Sequence, residues 1–234
     1  MKNIISKRRK LLYVISSFMM IGLLTGCNIE KEVVEKDTST KTIQTNDIGI
    51  PSLTQTLSIK DEDFSLLVDY DICDYDLNKW RITDNKAVGM NVKTQNLPDG
   101  YEVSLDHVHA DISLKSTEPQ VNGITQDTMD DTYHGVDQDG FLINNDTEYY
   151  NIFSIEGYTE QFYKFWMYYN GTGGSNYIRL TEKDLIDSDV YAEKLSVVYD
   201  VAIKKPNANR RYVKSVKSEI LIPVSKNIKT KKIY

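Results

Sequence analysis

The sequence predicts an all-β protein: an antiparallel β-sandwich, with an immunoglobulin-like architecture as one option, one long acidic excursion and at most short helices. Two observations predict it. Tyr101, Val103 and Leu105 alternate with Glu102, Ser104 and Asp106, and a period of two places the two sets on opposite faces of a strand. Short strand-like runs separated by turn chemistry also recur through residues 57–224, the pattern of a sandwich. That span is an ordinary size for one domain, and it carries no internal repeat.

The elements follow in order. Residues 28–56 are polar and mixed in charge, with Glu30-Lys31-Glu32 and Glu35-Lys36-Asp37. They read as a tether that cannot build a core, and Pro51 marks its approach to the domain. From Leu57 the periodicity is that of strands: Phe64, Leu66 and Val68 alternate, and Ala87–Val92 is a second candidate. Cys73 reads as a small buried residue of a strand. Leu97-Pro98-Asp99-Gly100 is a turn, because proline presets the second turn position and glycine accepts positive φ. The next strand begins at Tyr101 and continues through Val108, Ala110, Ile112 and Leu114 without changing face.

Residues 116–147 hold Asp127, Asp130, Asp131, Asp137, Asp139 and Asp146 and few apolar residues. They read as an excursion with at most a short helix near Thr125–Thr132. Tyr149–Ile155 is strand-like. Gln161–Tyr169 is an aromatic strand, Asn170–Gly174 a hairpin-type loop, and Tyr177–Leu180 the return. Thr181 caps a helical turn through Asp187. Leu195–Ile203 is a strand and Pro206–Asn209 a turn. Tyr212–Val224 closes the domain with one or two strands, ahead of a basic tail at 225–234.

The N-terminus is read differently. Lys2, Lys7, Arg8, Arg9 and Lys10 precede an apolar stretch from Leu11 to Leu24, too short for the roughly 20 residues that span a bilayer and ending in small residues as a secretory signal does. Leu24-Thr25-Gly26-Cys27 resembles the lipobox of bacterial lipoproteins. The resemblance covers residues 1–27 only. It implies removal of residues 1–26 as a signal peptide and attachment of a diacylglyceryl group, with palmitate-type chains, to Cys27. It also implies a location on the extracytoplasmic face of the cell membrane. Two acyl chains anchor stably where one does so only marginally, at about 0.8 kcal/mol per buried CH₂. The usage of Lys, Asn, Ile, Asp and Tyr is similar to that of exported proteins of AT-rich Gram-positive bacteria.

The whole chain has 28 basic and 34 acidic side chains, a net charge of −6. Without the five basic residues of the leader, 23 basic residues face 34 acidic ones, a net charge of −11. Such a balance argues against nonspecific nucleic-acid binding, which needs clustered Lys and Arg. With Cys27 lipidated, Cys73 has no partner for an intramolecular disulfide.

His107 and His109 sit two apart on one strand and so share a face. They are half of a feasible zinc or copper site, to be completed by His134 or an excursion aspartate, or else they are partly exposed strand residues. Both share the odd parity of Val103 and Leu105, which places them at the end of the core. Gly135–Asp146 partly resembles an EF-hand calcium loop: Asp137, Asp139 and Gly140 fall at loop positions three, five and six. Gly135 stands where the first aspartate belongs, which leaves a looser calcium site with Asp137 and Asp139, or a solvated turn. Asp69, Asp71, Asp74 and Asp76 offer paired carboxylates of the kind glycosidases use, or a solvated strand end. On the aromatic strand, Tyr163, Phe165, Tyr168 and Tyr169 are candidates for an interaction surface. The Gly-rich loop lacks the Lys-Ser/Thr of a phosphate-binding loop, and no nucleophile motif is present.

These observations point to a non-enzymatic binding module, held to the membrane through its lipid, with a protein or cell-envelope partner and no nucleic acid. The alternative is a metal- or solute-binding lipoprotein that takes zinc or calcium through His107, His109 and acidic loop residues.

Overall fold

The computed structural model describes residues 40–46, 49–73, 76–132, 140–159 and 181–226. Strands β1 to β6 are Lys41–Thr42, Gln44–Thr45, Pro51–Ser58, Ser65–Ile72, Lys86–Gln95 and Glu102–Ser116. Strands β7 to β11 are Thr125–Thr132, Phe141–Ile143, Tyr149–Ile155, Val190–Lys204 and Tyr212–Pro223. One short helix, α1 (Glu182–Asp187), precedes β10. Among the described residues, no helix is long and apolar enough to cross a membrane.

The strands form two sheets. One has the order β1-β11-β10-β6-β7, with β8 also paired to β6; the other has the order β2-β3-β4-β5-β9. The all-β sandwich expected from alternation is what forms. In β4, Leu66, Val68, Tyr70 and Ile72 are fully buried and their neighbours are not. Leu195, Val197, Tyr199, Val201 and Ile203 are fully buried in β10, where Ser196 and Ala202 of the opposite face are buried as well. The inner faces meet through polar pairs as well as apolar ones. The Tyr70 and Tyr199 hydroxyls lie 2.9 Å apart, and Ser218 Oγ donates to Gln55 Oε1 at 2.7 Å. Because β2 to β5 pair as consecutive hairpins in one sheet, the strand order is not that of an immunoglobulin domain, which spreads consecutive strands over both sheets.

Local signals explain several boundaries. Gly100 has φ +78°, and the Tyr101 N–H donates to the Pro98 carbonyl at 3.3 Å, closing the turn before β6. Thr181 caps α1 reciprocally. Its Oγ1 accepts the Asp184 N–H at 3.2 Å, and Asp184 Oδ2 accepts the Thr181 N–H at 2.7 Å.

Four expectations need correction. The folded part begins before Leu57. β1 pairs in parallel with β11, Ile43 is buried, and β2 and β3 join the other sheet. Ile43 and Pro51 are buried there and Leu53 packs against the core, but they are spaced too widely among polar residues to read as a strand; backbone pairing supplies the rest. Residues 125–132 form strand β7 against β6, not a helix. As an edge strand with only Gln126 buried, β7 has no apolar period to read. Cys73 is half-buried just past β4, with Sγ 3.9 Å from Asp71 Oδ1, not enclosed within the strand. And β6 does change face. Val103 and Leu105 point inward, but so do Val108, Ala110, Ile112 and Leu114, a step of three where a flat strand allows only even steps. The pairing with β10 absorbs it, since Asp200 pairs with His107 and Val201 with Leu105, which leaves Asp106 as the extra residue of a β-bulge.

One end of the sandwich holds a buried ionic network. Lys86 Nζ lies 2.9 Å from Glu193 Oε1, with both side chains essentially inaccessible. Lys86 also donates to the carbonyls of Arg81 and Ile82, at 2.8 and 2.9 Å, and Trp80 Nε1 donates to Glu193 Oε2 at 2.7 Å. All three ammonium protons and both carboxylate oxygens thus have partners. Burial pushes the Glu193 carboxyl up, while Lys86 and Trp80 push it back down.

Candidate functional site

The bulge at Asp106 organises the outer face of the six-stranded sheet. Beyond it, β6 turns His107 and His109 outward, so these histidines do not sit at the end of the core. Their side chains are 32 % and 38 % exposed. Register then supplies their partners. His109 lies opposite Asp130 of β7, and His107 lies opposite Asp200 of β10. His107 Nε2 and His109 Nδ1 both donate to Asp130 Oδ1, at 3.0 and 2.8 Å. His107 Nδ1 faces Asp200 Oδ2 at 3.4 Å. The hydrogen bonds from His109 and His107 hold the Asp130 carboxyl below the usual carboxylate range.

The two imidazoles therefore bracket one carboxylate oxygen. Among the described residues, no three His, Cys, Asp or Glu side chains converge as ligands of one metal ion. His134, Asp137 and Asp139 lie outside the described residues, as do Cys27 and the aromatic candidates Tyr163, Phe165, Tyr168 and Tyr169. Of the four aspartates near β4, Asp69 accepts a hydrogen bond from Thr54, and Asp76 caps the 3-10 turn Leu77–Lys79. Asp71 sits beside Cys73, and Asp74 is outside the described residues. For Asp69 and Asp76 these are local structural roles.

Sequence reading missed the feature on the other side of the bulge. Leu142, Ser104, Ala202 and Val213 pair in succession across β8, β6, β10 and β11. Ser104 and Ala202 are buried, although they point away from the core, while Leu142 and Val213 are more than half exposed. The result is a trough with a floor of small residues and Leu142 at one end, while Val213 lies outside its lining. Its cavity of about 370 Å³ is also lined by Glu102, Gly140, Lys204 and Arg211. Glu102 and Lys204 pair along one wall at 3.0 Å. Arg211, which begins level with them, reaches Asp106 on the far side of Ser104 at 3.4 Å. No single motif signals this site, because its residues come from four strands and meet only through register.

Gly140 shapes one side of the trough. Its φ is +75°, and a methyl group there would come within 2.7 Å of the Leu105 carbonyl oxygen and press on Ser104 and Asp106. Gly140→Ala is expected to cost about 1–3 kcal/mol, read as a lower urea midpoint. An unchanged midpoint would show that β8 does not lie this close to the bulge.

Larger openings of about 590 and 430 Å³ run along the side of the sandwich between β3 and β11. Lys60, Lys214 and Lys217 line them, and lysines at a sheet edge resist addition of another strand.

The sequence matches no known family and no curated protein. Two solved structures are similar over 73 % of this chain. One is described as pT26-6p, at 9 % identity and a TM-score of 0.41. The other is a protein from Archaeoglobus fulgidus, at 10 % identity and a TM-score of 0.27. The chain spans about a third of the first of these and 94 % of the second. At such scores neither likeness bears on function.

Proposed function

We propose that this chain is a lipoprotein anchored at the extracytoplasmic face of the membrane, and that its β-sandwich is a non-enzymatic binding module for a protein or cell-envelope component. The anchoring rests on Leu24-Thr25-Gly26-Cys27 and the charged, apolar leader before it. The binding reading is carried by the trough. It is a formed cavity on an outer sheet face, beside a bulge, with charged side chains on its rim. Ligand sites are concave, with a few polar groups set among apolar ones. The net charge of −6 disfavours nucleic acid as the partner.

Mass spectrometry of the mature N-terminus tests the anchor. A diacylglyceryl Cys27 is the expected species, and an intact N-terminus with an unmodified Cys27 overturns it. Cross-linking in intact cells tests the module: wild type is expected to give envelope cross-links that Ala202→Arg loses while the protein stays folded. Identical cross-links from both proteins would remove the trough from the function.

A second reading, metal or solute binding, is favoured by the convergence of His107 and His109 on Asp130. It expects a rise in Tm on adding zinc or calcium that His107→Ala abolishes; the interaction reading expects no such rise.

A further inference from the structure

We propose that residues 34–39 lengthen β1 and run as a strand along the open edge of β11. This goes beyond the binding reading and depends on neither the lipid anchor nor the trough.

The edge is defined by what covers it. β1 pairs with β11 only at Ile220 and Leu221, and β2 pairs with β3 only at Pro51 and Ser52. Among the described residues, the rest of both strands is the margin of its sheet on this side. The Ile43 N–H donates to the Leu221 carbonyl, and the Glu219 carbonyl accepts from Gln55 Nε2 at 3.2 Å. Both carbonyls therefore point away from β10. Backbone groups two residues apart on a strand point the same way, and the pairing of β10 with β11 runs from Tyr212 to Pro223 without a bulge. The N–H and C=O groups of Val213, Ser215 and Lys217 thus line the open edge, a template for one more strand.

The chain is already aimed along it. Lys41 is level with Ile220 and Thr42 with Leu221, in parallel, so each earlier residue falls one place further back along β11. Residues 34–39, which lie outside the described residues, then fall level with residues 213–218. As a strand they span roughly 20 Å. The openings of about 430 and 590 Å³ lie on this path. Thr40 lines the first beside Lys217 and Glu219, and residues 214–217 line the second.

The sequence fits the register. Val34 falls level with Val213, whose side chain is 52 % exposed, and contact between the two removes apolar surface from water. Glu35 falls level with Lys214. Asp37 shares its face, toward an opening lined by Lys60, Lys214 and Lys217. Lys36 falls level with Ser215, which pairs with Asp200 on β10. Lysines that deter an arbitrary strand accept one that carries carboxylates. Lys214 already faces Asp61 and Glu62 at 3.6 Å, and Lys217 faces Glu219 at 2.7 Å, so charge assists the register and does not set it. Docked there, the segment caps an edge that otherwise templates pairing with another chain. In an anchored protein it also draws the domain toward Cys27.

Hydrogen exchange of the full chain in detergent, read by mass spectrometry, tests the proposal. Amides of residues 34–39 are expected to exchange at least about tenfold more slowly than in a free peptide of the same sequence. In this register the Asp37 N–H donates to the Ser215 carbonyl, so Asp37→Pro removes a central bond of the ladder. That variant is expected to return residues 34–39 to the free-peptide rate and to speed exchange at Ser215 and Lys217, with the Tm of the domain unchanged. Glu35→Lys with Asp37→Lys keeps every backbone donor and is expected to speed exchange by a smaller factor, which keeps the test open should Asp37→Pro disturb β1.

Free-peptide rates in the wild type overturn the inference, and so does slow exchange that survives Asp37→Pro. Faster exchange at residues 34–39 with no change at Ser215 and Lys217 would place the segment elsewhere, and overturns it too. None of these outcomes bears on the N-terminal mass or on the envelope cross-links, so this inference and the binding reading fail separately.

Discussion

Glu193→Ala is expected to destabilise the domain by about 3–5 kcal/mol, the usual cost of removing one partner from a buried ion pair. Lys86 would keep a charge with no counter-charge in a site where its side chain is 2 % exposed, and the Trp80 N–H would lose the acceptor it reaches at 2.7 Å. For a domain of this size the loss corresponds to a Tm lower by roughly 6–20 °C, measurable by calorimetry or circular dichroism. The companion variant is more informative. Lys86→Met with Glu193→Leu removes both charges, and such replacements are neutral or stabilising in other proteins. Recovery of most of the lost stability in the double variant is therefore expected. A double variant as unstable as the single one would mean that the carbonyls of Arg81 and Ile82, which Lys86 also binds, are what the network exists to satisfy.

The second large effect concerns alkaline pH. Tyr70 and Tyr199 meet hydroxyl to hydroxyl across the sandwich. Burial pushes the Tyr70 phenol up to about 12 from its usual 10, and it pushes Tyr199 up as well. The unfolded chain ionises near pH 10 while the folded chain resists. The stability tied to these groups is thus complete below pH 10 and lost as pH rises toward the folded value. For Tyr70 alone the two-unit shift is worth about 3 kcal/mol. Denaturant midpoints are expected to hold steady from neutral pH to about pH 9 and then fall steeply as the unfolded tyrosines begin to ionise. Tyr70→Phe combined with Tyr199→Phe is expected to flatten that fall while costing stability at neutral pH through lost hydrogen bonding. If the double variant falls as steeply as wild type, the alkaline transition belongs to other groups.

Much of the fold was legible because alternation is a direct image of two-faced strands. Phe64 to Val68, Ala87 to Val92, Tyr149 to Ile155 and Leu195 to Ile203 all lie in or against the expected strands. β7 was not legible. Its sequence, Thr-Gln-Asp-Thr-Met-Asp-Asp-Thr, has Met129 as its one apolar residue against the core and so shows no alternation, and it is held by pairing with β6 and by side-chain bonds from Gln126 and Asp131. The bulge was legible in principle. Leu105 and Val108 are both inward, and a spacing of three between core residues requires an extra residue between them. Missing that step put His107 and His109 at the core's end instead of on the outer face. Asp200 then escaped notice, and Asp130 stood among the excursion aspartates without being singled out, since each is found only by knowing which residue lies opposite each histidine. The same limit hid the pairing of Lys86 with Glu193, which are 107 residues apart.

The crossing of residues 41–45 between the two sheets has a mechanical consequence. β1 lies parallel to β11 through Lys41 and Thr42, the Ile43 N–H donates to the Leu221 carbonyl at 2.8 Å, and β2 pairs at once with β3 in the other sheet. A pull arriving from the N-terminal side runs along β1, so the bonds to β11 are loaded in shear, not unzipped one at a time. Among the described residues, only this short stitch bears the load at first. If it parts, about six residues come free, roughly 20 Å of slack, while of the buried apolar side chains only Ile43 leaves its place. The stitch is therefore a fuse. Under force it frees that slack and leaves the two sheets closed on each other.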